Sequence, residues 1–376
     1  MKKKILYLFS DTGGGHRSAA TALIKAVDEL KPKDPPIQEM VDVFAECSGF
    51  LNLFAKLYGP VIKYSPKMWG MLYYWLNDTK KMGQLEKMSR PFIEKELAKL
   101  IQKRKPDLIV SVHPLLNHIS ISAMEKAGHR APLITVVTDP VSFHRTWICP
   151  EAQSIIVATE EAREQALEYG GAPSKIKVIG LPIDPRFAKP AKDRSRLMID
   201  MGLNPKKFTV LLMGGGEGGG GMLSIVKEIV DAGLDLQMMV IAGRNEKLKK
   251  TLEKMAVHLR FKLKVFGFTN EVPDIMTASD VVITKAGPGS IAEALSKDLP
   301  LIITSWLPGQ EEGNVKYVIR HGIGMINRDF KMIGEVIREF QSPSFHEKIK
   351  KNIKKVSDPK AVFKIAKEIL EAAYRK

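Results

Sequence analysis

Cysteine is nearly absent: Cys47 and Cys149 are the only two in 376 residues. They cannot make a disulfide framework, so a reducing, cytoplasmic compartment is expected. Long apolar runs are also missing. No uncharged stretch reaches the roughly 18–20 residues that a spanning helix needs, which excludes an integral membrane protein. The opening Met1-Lys2-Lys3-Lys4 has the basic character of a secretion signal, yet the apolar run Ile5–Ser10 meets Asp11 too early to form its core. There is no Asp-x-Asp, and no His, Cys or carboxylate spacing that suits a metal. No metal site and no obligatory cofactor are therefore expected. Nucleic-acid modules are missing as well: no Cys/His finger, no aromatic RNA-binding strand motif, no run of more than three basic residues.

What the chain does have is positive charge. Lys and Arg number 58 against 42 Asp and Glu, a net of +16. That excess favours nucleic acid, phosphorylated ligands or an anionic lipid surface, and it also serves plain solubility; a nucleic-acid binder would rest on this charge alone. Hydrophobic residues make up 44% of the chain, enough for two cores of ordinary size.

Short apolar runs alternate with helical stretches, the pattern of βαβ units and parallel sheets. Lys4–Ser10 reads as a buried strand, followed by a glycine turn and a helix through Ala19–Leu30. Further strands are predicted at Asp107–Val112, Leu133–Val137, Ser154–Ala158 and Lys177–Gly180. Pro182, Pro185 and Pro190 then punctuate a charged linker, Lys189–Arg196, and the pattern restarts. Phe208–Met213 runs into the glycine loop Gly214–Gly221 and a helix over Met222–Ala232. Strands at Gln237–Ala242, Lys262–Phe266, Asp280–Thr284 and Leu301–Thr304 follow, and Phe330–Lys376 is helical and Lys-rich. The expected fold class is α/β, with two Rossmann-like domains over residues 1–188 and 189–360. Residues 361–376 form a terminal helix expected to pack back on the first domain. A ligand belongs in a cleft at the carboxyl ends of the strands.

Four motifs carry chemistry. In Ser10–Ala20 (SDTGGGHRSAA) three glycines bring backbone close to a ligand. His16 opens the helix, where the dipole keeps imidazole neutral as a general base requires; a turn histidine satisfied by backbone is the alternative. Gly214-Gly215-Gly216 begins a loop of exposed N–H groups suited to phosphate. P-loop Lys and Ser/Thr are absent, and Gly243-Arg244-Asn245 stands where a dinucleotide site would carry its ribose acid. In Lys285–Ala294 (KAGPGSIAEA), Gly287-Pro288-Gly289 turns the chain and Ser290 is expected to cap a helix that faces a diphosphate. Glu293, one turn on, suits ribose hydroxyls or simply the helix start. In Pro308–Asn314 (PGQEEGN), Gln310 and Glu311 offer an amide fork and acceptors to sugar hydroxyls. A fifth stretch, Phe44–Trp75, holds nine of the 27 aromatics with lysines among them. It reads either as a core helix or as an interfacial element at the headgroup level.

Taken in order, SDTGGGHRSAA, Gly180-Leu181-Pro182-Ile183-Asp184, Gly214–Gly220, KAGPGSIAE and PGQEEGN resemble the monogalactosyldiacylglycerol synthases and bacterial diacylglycerol glucosyltransferases. A more distant resemblance is to the peptidoglycan N-acetylglucosaminyltransferase of glycosyltransferase family 28. The resemblance implies a GT-B fold, two Rossmann-like domains facing a central cleft, and inverting hexose transfer without a metal. The implied donor is UDP-galactose or UDP-glucose, and the implied acceptor is diacylglycerol on the anionic inner face of the cell membrane. His16 would be the base. Gly287, Gly289 and Ser290 would hold the diphosphate, Glu293 the ribose, Gln310 and Glu311 the sugar, and Phe268-Thr269 the uracil; Arg244 joins the donor site. Thr138-Asp139, followed by His144-Arg145-Thr146-Trp147, matches a family stretch, which puts Asp139 beside His16 as a second catalytic residue. Arg145 stands where proline is common. The alternatives are a UDP-N-acetylglucosamine transferase with another lipid-linked acceptor, and a nucleotide-dependent oxidoreductase built on the glycine loops.

Overall fold

The computed structural model describes residues 2–11, 14–47, 49, 52, 68, 70–71, 93–216, 218–219 and 221–375. The chain forms two compact units. The first comprises Met1–Pro185, Leu307–Gln310 and Lys360–Lys376; the second comprises Arg186–Trp306 and Glu311–Pro359.

In the first unit six parallel strands stand in the order β2-β1-β3-β4-β5-β6. They are β1 (Lys4–Phe9), β2 (Ile37–Asp42), β3 (Leu108–Ser111), β4 (Leu133–Val136), β5 (Ser154–Val157) and β6 (Ile176–Val178). Interior strands of a parallel sheet are covered on both faces and so read as unbroken apolar runs, as in Leu108-Ile109-Val110. Helix α1 (Gly15–Glu29) and the last helix, α14 (Ala361–Tyr374), belong to this unit. The two-residue period of β1 splits its side chains. Ile5, Tyr7 and Phe9 meet Ala20, Leu23 and Val27 of α1 with Val362, Ile365 and Ile369 of α14. Leu6 and Leu8 meet Leu97 and Ile101 of helix α3 (93–104), and Ile119 and Ala123 of α4 (Asn117–Lys126). Helix α14 comes close enough that a Cβ on Gly180 would lie 2.5 Å from the Ala361 methyl.

The second unit has β12-β11-β10-β7-β8-β9, all parallel. The strands are β7 (Thr209–Met213), β8 (Gln237–Ile241), β9 (Leu263–Phe266), β10 (Val281–Lys285), β11 (Leu301–Ser305) and β12 (Gly324–Ile326). Counted within the unit this is the order 3-2-1-4-5-6 in reverse, the doubly wound arrangement whose ligand crevice lies where the strand order switches. Between strands run α7 (Met222–Asp231), α8 (Glu246–Ala256), α10 (Pro288–Ser296) and α11 (Glu312–Arg320).

Two strands escape the sequence reading, β2 and β12. Both are sheet edges with partly exposed residues, so neither shows a continuous apolar run. The first helix spans Gly15–Glu29, so His16 stands in its first turn, at the helix start where the sequence reading put it. Of the aromatic stretch Phe44–Trp75, Phe44 is core: it is buried in α2 (Val43–Cys47), 5.4 Å from the His113 ring. The other eight aromatics lie outside the described residues. Among the described residues, no helix is long and apolar enough to cross a membrane.

Candidate functional site

In the first unit the strand order switches between β1 and β3. The chain leaves β1 and turns at Gly14 with φ +80°, a conformation that favours glycine. It enters α1 with His16 in the first turn. His113 follows β3, and Thr138-Asp139 follow β4, so three neighbouring strands deliver side chains to one end of the sheet. His16 Nδ1 is 3.2 Å from Thr138 Oγ1, and its ring meets the His113 ring edge to face, centroids 4.6 Å apart. Trp147 is 6.1 Å away, its indole N–H donating to Asp139 Oδ2 at 2.9 Å. Contact with His16 Nδ1 thus comes from Thr138, while the neighbouring Asp139 holds Trp147. His144 caps the turn Arg145–Trp147, its Nδ1 accepting from the Thr146 N–H, and Arg145 lies over the Tyr169 ring at 4.5 Å.

Burial pushes His16 down to about 4, against opposing pulls from a hydrogen bond to the Val112 backbone and from the Asp11 charge. His113 is held well below the usual imidazole range by burial and by the proximity of His16. Both rings are therefore neutral at pH 7. Burial, more than the helix dipole expected from sequence, is the main cause. His113 Nδ1 accepts the Leu115 N–H at 3.3 Å, which puts the ring proton of neutral His113 on Nε2.

In the second unit both glycine turns sit at the switch point, after β7 and β10. The β7 loop is folded tightly on backbone. A Cβ on Gly214 would lie 2.3 Å from the Gly219 carbonyl oxygen, and one on Gly243 2.3 Å from that of Gly216. The Arg244 N–H donates to the Gly216 carbonyl at 2.9 Å, and the Arg244 guanidinium lies 4.6 Å over the exposed Phe268 ring. Thr269 Oγ1 accepts from the Glu271 N–H. Gly287 occupies the N-cap position of α10 with Pro288 next, so Ser290 sits within the first turn and is not the predicted cap. The N–H groups of Gly289 and Ser290 lie at the open, positive end of the helix. Glu293 is partly buried about a turn further on.

Lys285 joins these parts. A Cβ on Gly215 would lie 3.6 Å from Lys285 Cε, and one on Gly287 3.2 Å, so the lysine stem touches both turns. Its Nζ is 3.2 Å from Oε1 of the buried Glu311, which precedes α11. Gln310, adjacent in sequence, is assigned to the first unit. Lys285, His113 and Thr138 were not among the residues that sequence reasoning placed in a site. Each sits at or just after the carboxyl end of a central strand, a signal visible only once the strands are ordered.

Residues 16–183 match the monogalactosyldiacylglycerol (MGDG) synthase family, and residues 209–368 match the glycosyltransferase family 28 C-terminal domain. A probable monogalactosyldiacylglycerol synthase of Glycine max is 34% identical over 98% of this chain and 71% of its own length. Among solved structures, Acinetobacter baumannii MurG superposes with a TM-score of 0.62 at 11% identity, covering 98% of this chain and 99% of MurG. Anabaena HepE in complex with UDP-glucose gives 0.57 at 17% identity, with the same two coverages. The fold is that of the GT-B glycosyltransferases. At 34% identity over nearly the whole chain, with two ordered family matches, the chain belongs to the monogalactosyldiacylglycerol synthase family.

Proposed function

We propose that the protein is an inverting glycosyltransferase that moves a hexose from a UDP-sugar to the hydroxyl of diacylglycerol at a membrane surface. Galactose is the favoured sugar, because that is the hexose named for its relatives. The observation that carries the reading is a neutral histidine at the switch point of the first sheet, in a family of glycosyltransferases. An alcohol is a poor nucleophile near pH 7. It needs a base to take its proton as it attacks C1 from the face opposite UDP, and a ring lowered to about 4 keeps its lone pair available.

The second unit supplies the complementary half. Negative charge grows on the leaving diphosphate. The N–H groups at the start of α10, the glycine loop after β7 and the Lys285 ammonium present fixed positive charge to it. Glu293 takes the ribose, Gln310 and Glu311 the sugar hydroxyls, and the backbone at Phe268-Thr269 the base, with Arg244 stacked on Phe268 closing that side. Helix N–H groups and cationic side chains neutralise the diphosphate without a divalent ion. The relatives are named as chloroplast proteins. For this chain we place the reaction on the inner face of a cell membrane, held there by its basic charge.

A donor panel tests the reading: UDP-galactose, UDP-glucose and UDP-N-acetylglucosamine offered with diacylglycerol vesicles, the lipid products read by mass spectrometry. Hexosyl-diacylglycerol as the product supports the proposal. Turnover only of UDP-N-acetylglucosamine, or no lipid product with any donor, overturns it.

A further inference from the structure

We propose that His118, Cys149 and Glu151 form a three-ligand site for a zinc-class divalent cation, clasping α4 to the loop that carries Trp147. The ligating atoms of the three residues lie within 4.8 Å of one another. His118 is on α4, and the other two follow the turn Arg145–Trp147. With 30 residues between His118 and Cys149, the sequence shows no ligand spacing; the fold creates it.

The donor set is one imidazole nitrogen, one sulfur and one carboxylate oxygen. That set suits Zn²⁺ and its spectroscopic substitute Co²⁺, and it is a poor match for Mg²⁺ or Ca²⁺, which take oxygen ligands. Cys149 Sγ–H donates to Glu151 Oε2 at 3.3 Å, so the thiol proton already occupies the position a cation would take. Burial holds that thiol protonated, pushed up to about 12. Glu151 is held below the usual carboxylate range, first by its own backbone N–H. Metal binding would exchange the thiol proton for the cation, with one proton released to solvent. The thiolate and carboxylate charges then balance the dication. Three protein ligands leave the fourth tetrahedral position to water.

The location gives the clasp a purpose. Asn117, next to His118, is fully buried and donates through Nδ2 to the carbonyls of Thr146 and Trp147 at 3.2 and 3.4 Å. Its Oδ1 accepts from Thr135 of β4. An amide therefore already ties α4 to this loop, and a metal one residue along would make the tie rigid. Trp147 extends from the same loop to Asp139, one residue from the Thr138 that touches His16.

The test uses the full chain, stripped with chelator and titrated with Co²⁺, then with Zn²⁺ in competition. The expected result is one equivalent of Co²⁺ with a thiolate-to-metal charge-transfer band, displaced by Zn²⁺ and weakening as pH falls. Cys149→Ser should abolish the band. His118→Ala and Glu151→Gln, whose side chains reach the surface, should weaken binding at least tenfold while circular dichroism stays native. Cys47→Ser should keep the band, and Zn²⁺ should raise Tm in the wild type but not in His118→Ala. Absence of a band in the wild type, its survival in Cys149→Ser, or its loss in Cys47→Ser would each overturn the proposal. None of these readouts depends on sugar transfer.

Discussion

The rings of His16 and His113 meet edge to face, 4.6 Å between centroids, each contributed by a strand end beside the switch in strand order. Burial disfavours the proton on both rings, and on His113 the neighbouring His16 disfavours it further. The acid limb of kcat should therefore fall near pH 4, not near the 6.5 of an ordinary histidine. The sign for stability follows the same shift. The unfolded chain takes up this proton first, so the His16 contribution is intact above about 6.5 and is lost as pH falls toward 4. A pH–rate profile with its acid midpoint at 6 or above would contradict this.

His16→Ala should leave UDP affinity within about twofold while lowering kcat by roughly 10²–10⁴, the usual worth of general-base catalysis. Isothermal titration and initial rates on vesicles separate the two effects. Near-wild-type turnover would remove His16 from the base role.

UDP should bind without added Mg²⁺ and bind more weakly to Glu293→Ala. Lys285→Ala should weaken it further, because the Lys285 stem touches both glycine turns. That variant also removes the Lys285 ammonium from the buried Glu311 carboxylate. A cost of about 1–3 kcal/mol in urea unfolding is expected. A strict metal requirement for UDP would contradict the reading.

Gly243→Ala should damage the donor half more than any surface change. Gly243 has φ +60°, and its new methyl would lie 2.3 Å from the Gly216 carbonyl oxygen. The loop must shift or the backbone strain. The expected result is at least tenfold weaker UDP binding with a lowered Tm. An alanine at Gly233, where φ is +62° but no atom lies within 4 Å, should cost stability alone.

Vesicle binding should rise with anionic lipid and fall with salt, since each lysine near the surface adds about 1 kcal/mol over a Debye length of about 8–10 Å. Trp69→Ala with Trp75→Ala should release the protein from vesicles and leave it folded. If the double variant unfolds, those indoles are core residues.

The central strands of both sheets were readable from sequence because parallel strands are buried on both faces and show as apolar runs, Ile5–Phe9 and Val210–Met213 among them. Residues 37–42 escaped because an edge strand carries Gln38, Glu39 and Asp42 on a partly exposed ribbon. Within the site, glycine punctuation drew attention to His16, Gly214 and Gly287. His113 had no such marker. Its closeness to His16 depends on β1 pairing with β3 across about a hundred residues of sequence, a topological fact that no local pattern carries. Lys285 opened the KAGPGSIAEA motif without a role of its own, because its role comes from two turns that converge on it.

Helix α14 fills the core of the unit whose first strand begins at Lys4: Val362, Ile365, Ala366 and Ile369 are fully buried beside Ile5 and Tyr7. On a ribosome, the first six-stranded sheet is complete long before this helix is made. Until residues 361–374 emerge, α1 alone covers that apolar flank of the sheet and the share that α14 takes stays open. The intervening residues of the second unit, Arg186–Trp306 and Glu311–Pro359, are translated while it waits. Maturation of the half that bears His16 is thus tied to synthesis of residues 361–374, and a ribosome stalled before them would present a partly exposed apolar flank to chaperones.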